Sequence, residues 1–124
     1  MNNKKIVIDA GHGGVDSGAV GNGIVEKDLT LKISQYIYDR LKKLGLDVKM
    51  TRTTDETLTP TERVNRVLNA FGNSSDVLLI SNHINAGGSD ISNYEGLYLK
   101  NYLIISLKTS IYLLSCVLNP NLYL

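Results

Sequence analysis

The sequence holds one cysteine, two prolines and two histidines in 124 residues, and its net charge is only +1. The single Cys116 excludes an intrachain disulfide and cannot build a thiolate metal cluster. With so little net charge, no basic cluster and no aromatic platform set among charges, the footprint of a nucleic-acid binder is missing. No apolar signal core follows Lys4 and Lys5, so the expectation is a chain without a signal peptide, cytoplasmic until released by another route. No segment is a confident membrane span, which needs about 20 predominantly apolar residues. There is no internal repeat, no linker and no pattern that encodes an oligomeric state.

Several catalytic templates are absent as well. The G-x-S-x-G turn that presents a nucleophilic serine does not occur. Gly11-His12-Gly13-Gly14-Val15 is followed by Asp16, which breaks the dinucleotide fingerprint G-x-G-x-x-G. The phosphate loop G-x-x-x-x-G-K-[ST] also fails, because Ala19 follows Gly18 and Ile24 follows Gly23. A carboxylate in this loop would repel phosphate besides.

What the sequence does hold is the composition of one soluble domain, 43% hydrophobic and 20% charged. Residues 5–9 (KIVID) form a β-branched run that predicts a buried strand. Residues 10–25 read as a glycine-rich loop, longer than most connections and therefore of functional interest. Leu29, Ile33, Ile37, Leu41 and Leu44 recur at helical spacing, with Lys42 and Lys43 in the last turn and Gly45 as the stop. Residues 46–52 alternate as a strand. Thr59-Pro60-Thr61-Glu62 is a capping box that opens a second helix to about Asn73. Residues 76–82 (DVLLISN) form the most apolar strand, expected to be central, and residues 96–100 (GLYLK) a fourth. Strands alternating with helices predict an α/β fold, a three-layer sandwich with a mainly parallel sheet flanked by helices.

All twelve acidic residues lie at or before Glu95, and beyond Lys100 the only charged side chain is Lys108. The division expected is therefore 1–100 as one domain and 101–124 as an anomalous apolar tail. As a helix, the tail would put Leu103, Leu107, Ile111, Leu114 and Leu118 on one face but load the other faces with apolar residues too.

Both histidines end apolar strand-like runs, His12 after KIVIDAG and His83 after DVLLISN. The C-terminal strand ends of an α/β sheet are where ligands and catalysts collect. Two imidazoles and the carboxylate of Glu26, just before the first long helix, would leave one position of a zinc ion open, as in a catalytic site. By themselves the residues admit a second reading, in which one histidine is an idle loop residue and the other a satisfied core residue. Neither belongs to a local HExxH or Cys/His cluster. Asp9, Asp16 and Asp28 compete with Glu26 as ligands. Asp9 is expected instead to act structurally or to accept an imidazole N–H, and Asp28 could cap the helix.

Taken in order, IVIDAGHGGVDSGAVG, VEKDLTLKIS, VKMTRTTDETLTPTERV and LLISNHINAGG resemble the zinc-dependent N-acetylmuramoyl-L-alanine amidases of the amidase-3 type. These are peptidoglycan hydrolases of bacterial autolysins, sporulation enzymes and phage endolysins. The resemblance implies that His12, Glu26 and His83 bind Zn²⁺, which settles Glu26 over the aspartates. It also implies that Asn85 lies beside the site to meet substrate, that Arg52 and Arg63 are structural, and that the partner is peptidoglycan at the cell wall. One departure stands out. The family's catalytic glutamate belongs to a late E-x-G-[FY]-[LI]-[ST]-N strand, and after His83 the only acids here are Asp90 and Glu95, neither in such a motif. The expectation is an N-terminal part of the amidase domain, truncated after about residue 100, with the C-terminal strands of the family fold missing and hydrolysis impaired. The alternative is a non-enzymatic zinc-binding remnant or cell-wall-binding module, and a third reading is a metal-free α/β domain.

Overall fold

The computed structural model describes residues 5–21, 23–74 and 76–84, and the backbone of 103–108. In chain order the elements are β1 (Lys5–Ala10), β2 (Val20–Gly21), β3 (Ile24–Val25), α1 (Glu26–Lys43), β4 (Asp47–Met50), α2 (Pro60–Phe71), β5 (Val77–His83) and β6 (Leu103–Lys108). The main sheet runs β4-β1-β5-β6, and every pairing in it is parallel.

Alternation along the strands sorts the core into two layers. Ile6, Ile8 and Val48 face α1, packed with Ile37, Tyr38 and Leu41. Val7, Val77 and Leu79 face α2, packed with Val67, Ala70 and Phe71. Both faces of the sheet are thus covered by a helix, the condition under which parallel strands are stable. The expected three-layer α/β architecture is what forms.

Strand β1 lies between β4 and β5, so the connection leaving β1 crosses to one side and that leaving β5 to the other. That divergence opens a crevice at the C-terminal ends of β1 and β5, the switch point where α/β sheets bind ligands.

Both helices sit where the periodicity put them, with adjusted ends. Helix α1 starts at Glu26, one residue earlier than expected. Its N-cap is Val25, which makes no side-chain cap bond, so Asp28 lies in the first turn and is not the cap. Gly45, at φ 79°, follows the helix as the expected stop. Helix α2 ends at Phe71, and Thr59 and Glu62 form the full capping box. Thr59→Ala is expected to cost about 1 kcal/mol of stability, read as a lower urea midpoint at unchanged slope.

Two expectations need correction. The segment 10–25 is not an open loop throughout, because Val20↔Val25 and Gly21↔Ile24 pair as a small antiparallel hairpin. The sequence Asn22-Gly23 between those strands is a strong hairpin-turn signal that the glycine count obscured. The helical pattern drawn for the tail gives way to a strand at Leu103–Lys108, whose backbone pairs in register with β5 from Leu78↔Leu103 to His83↔Lys108. An unpaired β5 edge would leave a row of N–H and C=O groups without partners, and β6 supplies them. The strand expected at 96–100 lies outside the described residues.

Candidate metal centre

The crevice at the switch point brings three side chains together. His12 stands two residues beyond β1, Glu26 is the first residue of α1, and His83 is the last residue of β5. Ala10 pairs with Asn82, and Gly11 N–H extends the pairing by donating to the Asn82 carbonyl at 3.0 Å. The two histidines therefore leave adjacent strands at the same level. His12 Nε2 lies 3.2 Å from Glu26 Oε1, His83 Nδ1 lies 3.3 Å from His12 Nε2, and His83 Nδ1 lies 3.8 Å from Glu26 Oε1.

Glu26 is only 4% exposed. Among the described residues no lysine or arginine pairs with it. Its oxygens instead accept backbone N–H groups, Oε2 from Ala19 at 2.8 Å and Oε1 from Ile84 at 2.7 Å. A nearly buried carboxylate facing two imidazoles and no fixed cation is costly unless positive charge joins it. Burial, followed by the neighbouring His12, pulls the pKa of His83 below the ordinary imidazole value, which favours the neutral ring that can ligate a metal.

The rings are held by close backbone approach. A Cβ on Gly11 would stand 2.5 Å from His83 Cε1, and one on Gly18 2.6 Å from His12 Cδ2. Gly18 also has φ 61°, so any side chain there would be strained as well as obstructed. His12 itself adopts φ 60°, a left-handed conformation uncommon for a non-glycine residue and concentrated at functional sites.

Asp9 takes the structural one of its two expected roles. Its Oδ1 accepts Thr51 Oγ1–H at 2.7 Å and Arg63 at 2.6 Å, and its Oδ2 accepts Ser81 Oγ–H at 3.1 Å. It ties β1 to β5 and to α2 on the face away from α1. The acceptor at His12 is Asp16, whose Oδ2 lies 3.0 Å from His12 Nδ1. Asp16 is therefore neither in the triad nor idle. The Gly18 backbone N–H, and after it the His12 ring, hold its carboxyl below the usual range.

Arg52 and Arg63 are structural, as the resemblance implied. Arg52 is 1% exposed and donates to the carbonyls of Ala10, Gly11, Lys27 and Thr54. Arg63 donates to the carbonyls of Ala10 and His12 as well as to Asp9. Thr30, Ser34 and Asn82 were not singled out by sequence. Buried between α1 and β5, they join Thr30 Oγ1–H to the Gly11 carbonyl and the Asn82 amide to Thr30 O and Ser34 Oγ. Asn85, expected beside the site, lies outside the described residues.

The chain resembles known proteins over most of its length. The family model for N-acetylmuramoyl-L-alanine amidase, Amidase_3, matches residues 6–107. The chain is 43% identical over 99 residues to the uncharacterized protein YqiI of Bacillus subtilis (strain 168), covering 80% of this chain and 46% of the relative. It is 35% identical over 116 residues to the germination-specific N-acetylmuramoyl-L-alanine amidase of the same organism, covering 82% and 49%. The catalytic domain of CwlV, an N-acetylmuramoyl-L-alanine amidase from Bacillus (Paenibacillus) polymyxa var. colistinus, superposes with a TM-score of 0.60 at 38% identity, over 72% of this chain and 49% of that one. The chain thus spans about half the length of these relatives, and its sheet is a fragment of the amidase fold. With the family model matching residues 6–107, the chain belongs to the N-acetylmuramoyl-L-alanine amidase family.

Proposed function

We propose that His12, Glu26 and His83 hold one zinc ion, and that the site serves hydrolysis of the amide between N-acetylmuramic acid and L-alanine in peptidoglycan. The observation that carries this reading is the convergence of three ligand atoms, all within 4.8 Å of one another, at the strand ends. Zinc bonds to histidine and carboxylate are about 2.0–2.2 Å long, so a tetrahedral shell has ligand atoms about 3.3–3.5 Å apart. The separations of 3.2, 3.3 and 3.8 Å fit that spacing with little movement. Two neutral nitrogens and one carboxylate oxygen are also the donor set of many catalytic zinc sites.

When bound, the metal supplies Lewis acidity to the scissile carbonyl and to the attacking water. The chain's own residues supply position. Glu26, with both oxygens engaged by backbone N–H groups, is oriented toward the ring nitrogens and not toward a proton-transfer partner. Asn85 is proposed to contact substrate, and the protein to act at the cell wall after release.

Proton transfer is where this chain is weakest. Beyond Glu95 it contains no aspartate or glutamate, and general acid–base assistance contributes about 10²–10⁴-fold. We therefore expect zinc binding with feeble hydrolysis, and the same absence favours a non-enzymatic zinc-binding module as the second reading. The test is release of new L-alanine amino termini from purified cell wall, comparing this chain with one extended by a family C-terminal segment. The expected result is a gain of at least a hundredfold on extension. Equal rates would mean that the missing carboxylate is not needed, and no release by either would favour the module.

A further inference from the structure

We propose that Asp16 is the positioning residue that locks His12 in its Nδ1–H tautomer, so that Nε2 offers a lone pair toward Glu26 and His83. The inference rests on the zinc-site reading for its purpose, but not for its geometry.

The loop folds so that this one carboxylate reaches this one nitrogen. His12 turns left-handed at φ 60°, and Gly13 and Asp16 then exchange backbone hydrogen bonds at 2.9 and 3.1 Å. That tight reversal carries Asp16 back over the ring it follows by four residues. One carboxylate oxygen accepts the Gly18 N–H at 3.1 Å, which fixes the carboxylate, and the other lies 3.0 Å from His12 Nδ1. The remaining acids near the loop are committed elsewhere. Asp9 is engaged by Thr51, Arg63 and Ser81, and Asp55 by Gly14 N–H and Lys27.

Ionised carboxylates only accept, and two of them face the His12 ring. Asp16 stands nearer to Nδ1, at 3.0 Å, than Glu26 Oε1 does to Nε2, at 3.2 Å, and Glu26 Oε1 already accepts the Ile84 N–H at 2.7 Å, so Nδ1 carries the proton. In a neutral imidazole the other nitrogen is then the acceptor, and here that is Nε2, the atom 3.2 Å from Glu26 Oε1 and 3.3 Å from His83 Nδ1. Partners that orient a ligating histidine in this way typically change metal affinity by about 10–100-fold when removed.

Asp16→Asn gives the sharpest test. Asparagine keeps an oxygen for Gly18 N–H but turns an NH₂ group toward His12 Nδ1, which reverses the hydrogen bond and favours the wrong tautomer. The backbone bonds between Gly13 and position 16 need no side chain, so the loop should persist, and amide dispersion checks this. The tautomer is read on metal-free, ¹⁵N-histidine-labelled protein, with the two histidines assigned through His83→Ala. Zinc affinity is read separately by chelator competition. The expected result is a shift of His12 from Nδ1–H toward Nε2–H, with zinc bound at least tenfold more weakly and recovery in Asp16→Glu. An unchanged His12 tautomer in Asp16→Asn overturns the proposal, whatever the affinity does. If the wild-type chain binds no zinc, the metal reading fails, while the tautomer comparison still decides the role of Asp16.

Discussion

His83→Ala and His12→Ala are each expected to reduce bound zinc from one ion per chain to well below one after dialysis against a weak chelator. Structural zinc sites with four protein ligands bind with apparent free energies of about 10–16 kcal/mol. One ligand is therefore worth about 3 kcal/mol, a loss on the order of a hundredfold in affinity. Glu26→Gln should lose a comparable amount and also leave an amide N–H where one of the backbone donors needs an acceptor. Asp9→Asn should act on folding and much less on zinc, since its partners are Thr51, Arg63 and Ser81. Protons compete with the metal for the imidazoles, so affinity should be flat at alkaline pH and fall as the medium is acidified into the histidine range near 6.5. At His83, burial lowers the pKa, so competition there begins at a lower pH than at a free histidine. Retention of a full equivalent of zinc in both histidine variants would mean that the ligands are misassigned.

Arg52→Ala is expected to cause the largest loss of stability of any single change near the site, about 3–5 kcal/mol. Arg52 is 1% exposed, and its guanidinium bonds the carbonyls of Ala10, Gly11, Lys27 and Thr54 and the Thr30 hydroxyl. Burial lowers its pKa from the ordinary arginine value. Truncation removes a planar donor that links the end of β1, the first turn of α1 and the segment after β4. Typical domains have only about 5–15 kcal/mol to lose. Lysine should recover little, because a single ammonium cannot reproduce the fork that meets several carbonyls at once. Urea denaturation of the metal-free chain checks this, and a loss below about 1 kcal/mol would show that water replaces the guanidinium. Since Arg52 holds the Gly11 carbonyl, whatever folded Arg52→Ala remains should also bind zinc less tightly.

The apolar patterns of β1, α1 and β5 and the Thr59 capping box were readable because each is local. Side-chain period and cap chemistry act within one or two turns of chain. The resemblance, and not the spacing, separated Glu26 from Asp9, Asp16 and Asp28. Its distance in sequence from His83 is closed only by the sheet order, which no local pattern encodes. That Asp9 would be structural was open to the sequence, but its partners were not: Thr51, Arg63 and Ser81 come from three separate segments that only the folded sheet and α2 bring together. The Asp16–His12 contact is local, yet it depends on a left-handed histidine, which propensity does not anticipate. The form of the segment that becomes β6 stayed open in the sequence, because an apolar run of that length fits either period. What decides it is the open edge of β5, a property of the folded sheet.

Two imidazoles and one carboxylate, at the ends of β1 and β5 and the start of α1, are proposed to form a zinc site. Zinc K-edge X-ray absorption on the chain loaded with one equivalent of metal tests it most directly. The expected spectrum is that of a four-coordinate shell of nitrogen and oxygen at about 2.0–2.2 Å, with outer-shell scattering from two imidazoles that falls to one in His83→Ala. A shell without imidazole scattering, or with sulfur at about 2.3 Å from Cys116, would contradict it.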